Sequence, residues 1–242
     1  ANNIAIGKDA LDANTTANYN IAVGGVALTT NTTGCENTAL GYATLNLNLT
    51  GDCNVAVGYI ALNKNTADSN TAVGHSSLAC NTSGAQNTAV GRISLQANTT
   101  GGNNVALGSQ ALCSNTTGAQ NNAIGVVSLC VNTTGSNNTA VGHLALRRNT
   151  TADNNTAVGV EALTDNTTGT VNTAMGRQSL TNNTTADGNT AYGHNTLNTV
   201  TTSGCNTAVG GSALFNNTAA NNTALGHSAL TANTTASCGT VI

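Results

Sequence analysis

Hydrophobic and polar positions in this chain follow one short phrase that recurs from end to end, Asn-x-Ala-x-Gly with a leucine four residues after the glycine. In the copy Asn87-Thr88-Ala89-Val90-Gly91 the side chains alternate, Thr and Val on one face and Asn and Ala on the other. That is the period of two of a β-strand. The closing glycine stands at Gly7, Gly24, Gly41, Gly58, Gly74, Gly91, Gly108, Gly125, Gly142, Gly159, Gly176, Gly193, Gly210 and Gly226. The intervals between these glycines are 17 in eleven cases and 16 in two, so the chain is 14 copies of one unit.

Comparing the copies shows what the fold holds constant. The Asn four before the glycine, the Ala two before it, the glycine and the Leu four after it never vary. A second Asn, seven after the glycine, fails only at Val200. The residue before the glycine is always apolar, and the residue three after it is Ala, Ser or Thr. A unit this short cannot hold two helices and a turn, and Asn, Thr, Gly and Val form helices poorly. The pattern predicts an all-β parallel β-solenoid, a β-roll of 14 coils with about 17 residues in each. In each coil one short strand carries the pentad, the glycine permits a bend or a close backbone approach, and a second short strand ends on the Leu. The Asn-Thr-Thr-Gly run makes the longer turn. Coils stacked about 4.8 Å apart would make a rod of roughly 65–70 Å, with like residues in ladders and asparagines bonded to one another along them. Residues 1–242 read as a single repeat domain, uncapped at both ends.

The face assignment follows from the apolar residue beside the glycine. With Val inward, the invariant Ala column faces out, and Ala22, Ala39, Ala56, Ala72, Ala89 and Ala106 form a flat packing face. Side-by-side association, most simply a trimer, would cover it. Ala1-Asn2-Asn3 opens in register, and Gly239-Thr240-Val241-Ile242 stops within a fifteenth pentad. These ends point either to a segment of a longer chain or to head-to-tail stacking.

Composition narrows the function classes. The chain has no Pro or Trp, 2% aromatic residues, 6% charged residues and a net charge of −3. A disordered chain is normally charge- and proline-rich, and a membrane span needs about 20 consecutive apolar residues, so neither disorder nor membrane insertion fits. Six Lys and Arg in all leave no electrostatic footprint for nucleic acid.

Candidate chemistry is sparse. Eleven turn asparagines open an Asn-x-Ser/Thr sequon: Asn14, Asn31, Asn48, Asn81, Asn98, Asn115, Asn132, Asn149, Asn166, Asn183 and Asn233. They are candidate N-glycan acceptors, although the same run simply makes a good turn. Covalent glycans are the one non-protein group the sequence suggests; no cofactor or metal site is expected. His75, His143, His194 and His227 share the column after the glycine, but the closest pair is two coils apart, too far for shared metal ligation within a chain. Cys113 and Cys130 occupy one column in adjacent coils, and Cys35 and Cys53 lie one column apart in adjacent coils. Both pairs are candidate disulfides, which implies an oxidising, extracellular or cell-surface location. Cys80, Cys205 and Cys238 have no such neighbour. No nucleophile, base and orienting acid coincide in a coil, so no enzyme is expected. Asp68, Asp153 and Asp187 sit in Thr-Ala-Asp turns, where Asp is a turn former first.

The unit Asn-Thr-Ala-Val-Gly-x-x-Ala-Leu-x-x-Asn-Thr-Thr-Gly resembles the YadA-like head repeats of trimeric autotransporter adhesins and related β-roll repeats of phage tail fibres. The likeness is carried by triplets such as Ala22-Val23-Gly24 and Ala123-Ile124-Gly125. It implies a left-handed parallel roll, three associated chains, and a surface presented to host tissue or another cell. The repeat here is longer than that family's usual one. The sequence therefore suggests an extracellular structural protein that forms a rod or filament through lateral or end-to-end self-association. A trimeric adhesin or tail-fibre head binding a receptor or carbohydrate is the alternative. Regular threonine arrays add ice binding as a second alternative, against which the Thr doublets lie in a turn rather than along one strand.

Overall fold

The computed structural model describes residues 2–241, and among them every regular element is a β-strand. The chain is a parallel β-solenoid whose contacts group into two compact units, Ala1–Gln120 and Asn121–Ile242. The first carries β1 (Ile4–Ile6), β2 (Ile21–Val23), β3 (Thr38–Leu40), β4 (Val55–Val57), β5 (Thr71–Val73), β6 (Thr88–Val90) and β7 (Val105–Leu107). The second carries β8 (Asn122–Ile124), β9 (Thr139–Val141), β10 (Thr156–Val158), β11 (Thr173–Met175), β12 (Thr190–Tyr192), β13 (Thr207–Val209), β14 (Thr223–Leu225) and β15 (Thr240–Val241).

Within each unit every strand pairs in parallel with the next, and equivalent residues face each other, as Thr71, Ala72 and Val73 face Thr88, Ala89 and Val90. The same register joins β9 to β10 and β10 to β11 in the second unit. A one-residue slip would put Ala where Val stands, so the repeat length itself pins the register.

Among the described residues only one strand forms per coil, three residues long in all but β15, and the expected second strand ending on the Leu is absent. Two residues of that stretch are left-handed in each coil, as at Ile93 (φ 51°) and Leu95 (φ 50°). Left-handed residues turn the chain, so no extended segment survives there. The stretch nevertheless stays in the hydrogen-bond ladder, because its N–H groups point alternately to the two neighbouring coils. Ile93 N–H donates to His75 O in the preceding coil at 2.9 Å, and Leu95 N–H to Ala111 O in the following one at 2.9 Å. A third left-handed position follows the turn and is filled by asparagine at Asn103, Asn137, Asn154 and Asn221, the side chain that tolerates it best after glycine.

The faces of the strand are the reverse of the expected arrangement. Ala22, Ala39, Ala56, Ala72, Ala89 and Ala106 are fully buried and point into the coil, while the residues on either side of each point out. They are core, not a packing face. The reason is the narrow bore of so short a coil, which also takes a Leu and two asparagines. Leu28, Leu45, Leu62, Leu78, Leu95 and Leu112 are fully buried in the first unit, with the strand and turn asparagines beside them. No space is left opposite the strand for more than a methyl group. The column three after the glycine is confined in the same way, and where it holds Ser the hydroxyl finds a backbone carbonyl, Ser94 Oγ donating to Gly91 O at 3.0 Å and Ser77 Oγ to Ala89 O of the next coil at 2.8 Å.

The pentad glycine is required on two counts, seen at Gly91. Its φ is +136°, which L side chains rarely adopt, and a Cβ there would stand 2.5 Å from Gly108 O in the next coil. Gly91→Ala is expected to cost about 3 kcal/mol, combining backbone strain with a clash that only separation of the coils relieves. The check is the urea midpoint of the variant, read beside Ala89→Gly, which leaves that contact intact.

Candidate functional site

The interior is built from two asparagine columns that meet on one carbonyl. The turn asparagines bond side chain to side chain along the stack. Asn98 Nδ2 donates to Asn81 Oδ1 at 2.7 Å, and Asn115 Nδ2 to Asn98 Oδ1 at 2.8 Å. In the second unit Asn166 donates to Asn149 at 2.9 Å and Asn183 to Asn166 at 2.8 Å. Each Nδ2 also closes its own turn, as Asn98 does on Gly101 O at 2.9 Å. From the opposite wall the strand asparagine Asn87 donates to that same carbonyl at 2.9 Å. Its Oδ1 accepts the backbone N–H of Asn104, the strand asparagine of the next coil, at 2.9 Å. The expected asparagine ladder is therefore present, and there are two of them, one amide-to-amide and one amide-to-backbone. A carboxylate or a hydroxyl cannot replace either, because each position needs a donor and an acceptor on one planar group.

This geometry decides the sequons. Asn31, Asn48, Asn81, Asn98, Asn115, Asn132, Asn149, Asn166 and Asn183 are fully buried. Asn14 and Asn233 are half-buried; Asn233 donates to Asn217 Oδ1 and to Ala236 O, both at 2.9 Å, whereas Asn14 closes only its own turn on Ala17 O at 3.4 Å and its Oδ1 is buried without a partner. In all eleven the nitrogen to which an N-glycan would be joined already donates to a turn carbonyl. These eleven are turn and core residues in the folded coil, and the sequon there is incidental. The two turns that keep Asn but lose the hydroxyl, at Asn65 and Asn217, are those of the two shortened coils, one residue shorter between Asn and Ala.

A third ladder went unrecognised in the sequence. The threonine directly after the turn asparagine donates its hydroxyl to the same residue's carbonyl in the next coil, Thr82 to Thr99 at 2.9 Å and Thr150 to Thr167 at 3.0 Å. Near-invariance of this column was the available signal. The turn acids also serve stacking: Asp68 Oδ1 accepts the N–H of Asp52 at 2.8 Å, Asp153 that of Ser136 at 2.6 Å and Asp187 that of Thr170 at 2.6 Å.

The cysteines do not behave as one group. Cys35 and Cys53 are separate thiols, which overturns that candidate disulfide. The column offset sends their sulfurs to different neighbours. Cys35 Sγ lies 3.4 Å from Thr33 O, and Cys53 Sγ donates to Glu36 Oε2 at 3.4 Å. The bond to Glu36, aided by some desolvation and by the charges of Glu36, Asp52 and Asp68, raises the Cys53 pKa above the ordinary thiol value. Cys113 belongs to the first unit, its Sγ 3.8 Å from Ser114 Oγ, and Cys130 to the second. Cys80 is half-buried, and Cys205 and Cys238 are exposed.

The surface carries the remaining side chains. His75, His143, His194 and His227 are all exposed in the column after the glycine. His75 ends a short stack, with Tyr59 at 5.2 Å and Tyr42 a further 5.6 Å away between ring centroids. Among the described residues no three His, Cys, Asp or Glu side chains come together as metal ligands, and no helix is long and apolar enough to cross a membrane. The outward strand face is uncharged throughout. In the first unit it shows Ile6 (61% exposed), Ile21 (40%), Leu40 (46%) and Val90 (39%). In the second, Thr139, Thr156, Thr173, Thr190, Thr207 and Thr223 form one rank beside an apolar rank. Threonine thus does alternate along a strand, in the pentad rather than in the turn doublet.

Two ladder interruptions make the energetics testable. Asn183 Oδ1 is buried without a partner because the next coil carries Val200, and Asn48 Oδ1 faces Asn65 of a shortened turn, whose Nδ2 closes its own turn on Ala67 O at 2.6 Å but makes no bond to Asn48. Asn98→Ala should lower stability by about 3 kcal/mol, through lost bonds and an orphaned acceptor on Asn81. Val200→Asn should raise it by about 1 kcal/mol by supplying the missing donor. Chemical denaturation of the two variants reads both signs. No protein-family model, curated protein or solved structure matches the chain.

Proposed function

We propose that this is a structural, fibre-forming protein that works through a repeated surface and associates with copies of itself through the outward strand face. A β-solenoid is compatible with a structural or fibre-like repeat protein. The observation that carries the reading is the uncharged outward face of the strands, apolar at one or both outward positions in every coil and left uncovered while the interior is filled. Contiguous exposed apolar surface on this scale marks an association site in soluble proteins. The interface thus passes from the alanine column to the Thr/Val face, and lateral packing of two or three chains remains the simplest way to cover it. An extracellular setting, and the likeness of the Ala-Val-Gly triplet to surface-fibre repeats, are in keeping with it. Val73→Lys with Val90→Lys puts charge on this face without touching the coil interior. The double variant is expected to weaken self-association at least tenfold, about 1.4 kcal/mol, while its circular dichroism stays unchanged. Sedimentation velocity of the two proteins decides; a parent chain that sediments as a 23.8 kDa monomer at every concentration would sink the reading.

Ice binding is favoured as a second reading by the threonine rank from Thr139 to Thr223. Threonines spaced about 4.8 Å along the stack, with an apolar rank about 6.6 Å to the side, hold hydroxyls and methyls in a regular, uncharged array. Thermal hysteresis in a freezing-point assay, lost on Thr156→Lys, is the expected outcome of that reading; no hysteresis in the parent removes it.

A further inference from the structure

Nearly every near-invariant column of the coil has a duty in the fold except one. The strand Asn, the Ala, the glycine, the Leu, the turn Asn and the threonine after it all bond or pack between coils. The next residue, nine after the pentad glycine, does neither with its side chain. From Thr16 to Thr235 it is threonine in eleven copies and serine, Ser83, in a twelfth. All twelve are exposed, and none of the twelve hydroxyls, Thr100, Thr151 and Thr168 among them, has a hydrogen-bond partner among the described residues.

The fold dispenses with this residue altogether. The two shortened coils lack it, passing from Thr66 to Ala67 and from Thr218 to Ala219, and the turn asparagine still reaches its carbonyl, Asn65 to Ala67 O and Asn217 to Ala219 O, both at 2.6 Å. Where the position exists, it is a hydroxyl. Solvation alone would accept Asn, Lys or Glu, and a β-branched backbone preference would accept Val. Two residues further on, an outward column drifts freely through Asn18, Cys35, Asp52, Ala85 and Gly102. What is held at the outer rank is an alcohol, for chemistry the coil itself does not use.

We propose that this outer hydroxyl rank is a track of O-glycosylation sites. The group attached has to be neutral, because phosphates one coil apart, about 4.8 Å, would repel one another along the whole rank. It has to be joined through oxygen, because the amide nitrogens next to it are locked in the ladder. A sugar meets both conditions and keeps the turn hydrated. In the step, Thr Oγ1 bonds to the anomeric carbon of a nucleoside-diphosphate sugar. The bond from that carbon to the donor phosphate breaks, the nucleoside diphosphate leaves with the electron pair, and the hydroxyl proton passes to the transferase base. The inference rests on the coil alone and is independent of self-association.

The test is peptide-mass and fragmentation mass spectrometry of the chain purified from the cells that make it, with thermal melts of variants. Peptides of these 242 residues from the native protein are expected to exceed their sequence masses by whole sugar residues, every sugar lying in the outer rank. Thr100→Ala and Thr151→Ala should each remove one sugar site and leave the melting midpoint of the unglycosylated chain unchanged, while Thr99→Ala lowers it. Native peptide masses equal to the sequence masses, sugars on any other column, or a Thr100→Ala midpoint as low as that of Thr99→Ala would overturn the proposal.

Discussion

The rest of this structure depends on the pairing of buried primary amides. An asparagine side chain is planar and offers a donor and an acceptor in opposite directions, so in a stack it bonds upward and downward with the same geometry in every coil. In this chain the turn ladder does so amide to amide, the strand ladder amide to backbone, and both meet on one carbonyl, as Asn87 and Asn98 meet on Gly101. A buried amide is costly unless it is fully bonded, and here the repeat itself supplies the partners. The cost returns where an acceptor is left over, at Asn14 in the first coil, at Asn48 below a shortened coil and at Asn183 below Val200.

The other columns follow from that commitment. Two walls joined through asparagines leave a narrow bore. One side chain of any size fits, and it is always Leu; opposite it the strand can offer only Ala. To close such a small circuit the backbone turns through left-handed positions that glycine does not fill, among them the leucine four after the pentad glycine in each coil, from Leu11 to Leu230. Each costs on the order of 1 kcal/mol in isolation. They persist because they direct N–H groups alternately to the coils on both sides, which continues the ladder around the turn.

Function is consequently pushed to the outside. The coil interior is filled and carries almost no titratable group, and the charged and reactive residues, including Cys53 and the four histidines, sit on the rim. What repeats on the outside is limited to two features: the uncharged face flanking each strand alanine, and the outer hydroxyl of each full-length turn. The first is suited to contact with another flat surface and the second to attachment of a neutral group. Neither needs a pocket, and both gain their effect from number.

The periodicity of the sequence was sufficient for the fold class, the coil length, the in-register parallel stacking, the glycine contact and the existence of an asparagine ladder, because each depends on spacing and residue type alone. It was insufficient for direction. Alternation divides a strand into two faces without saying which is inside, and hydrophobicity chose Val where the bore admits only Ala. The same limit misplaced the sequons, since Asn-Thr-Thr reads alike whether the amide nitrogen faces water or the next coil, and it joined Cys35 to Cys53, whose sulfurs turn to different neighbours. Side-chain direction in a turn is set by left-handed residues such as Ile93 and Leu95, which carry no composition signal. Only the closed coil, with its fixed width, determined which atoms were enclosed and which were left for function.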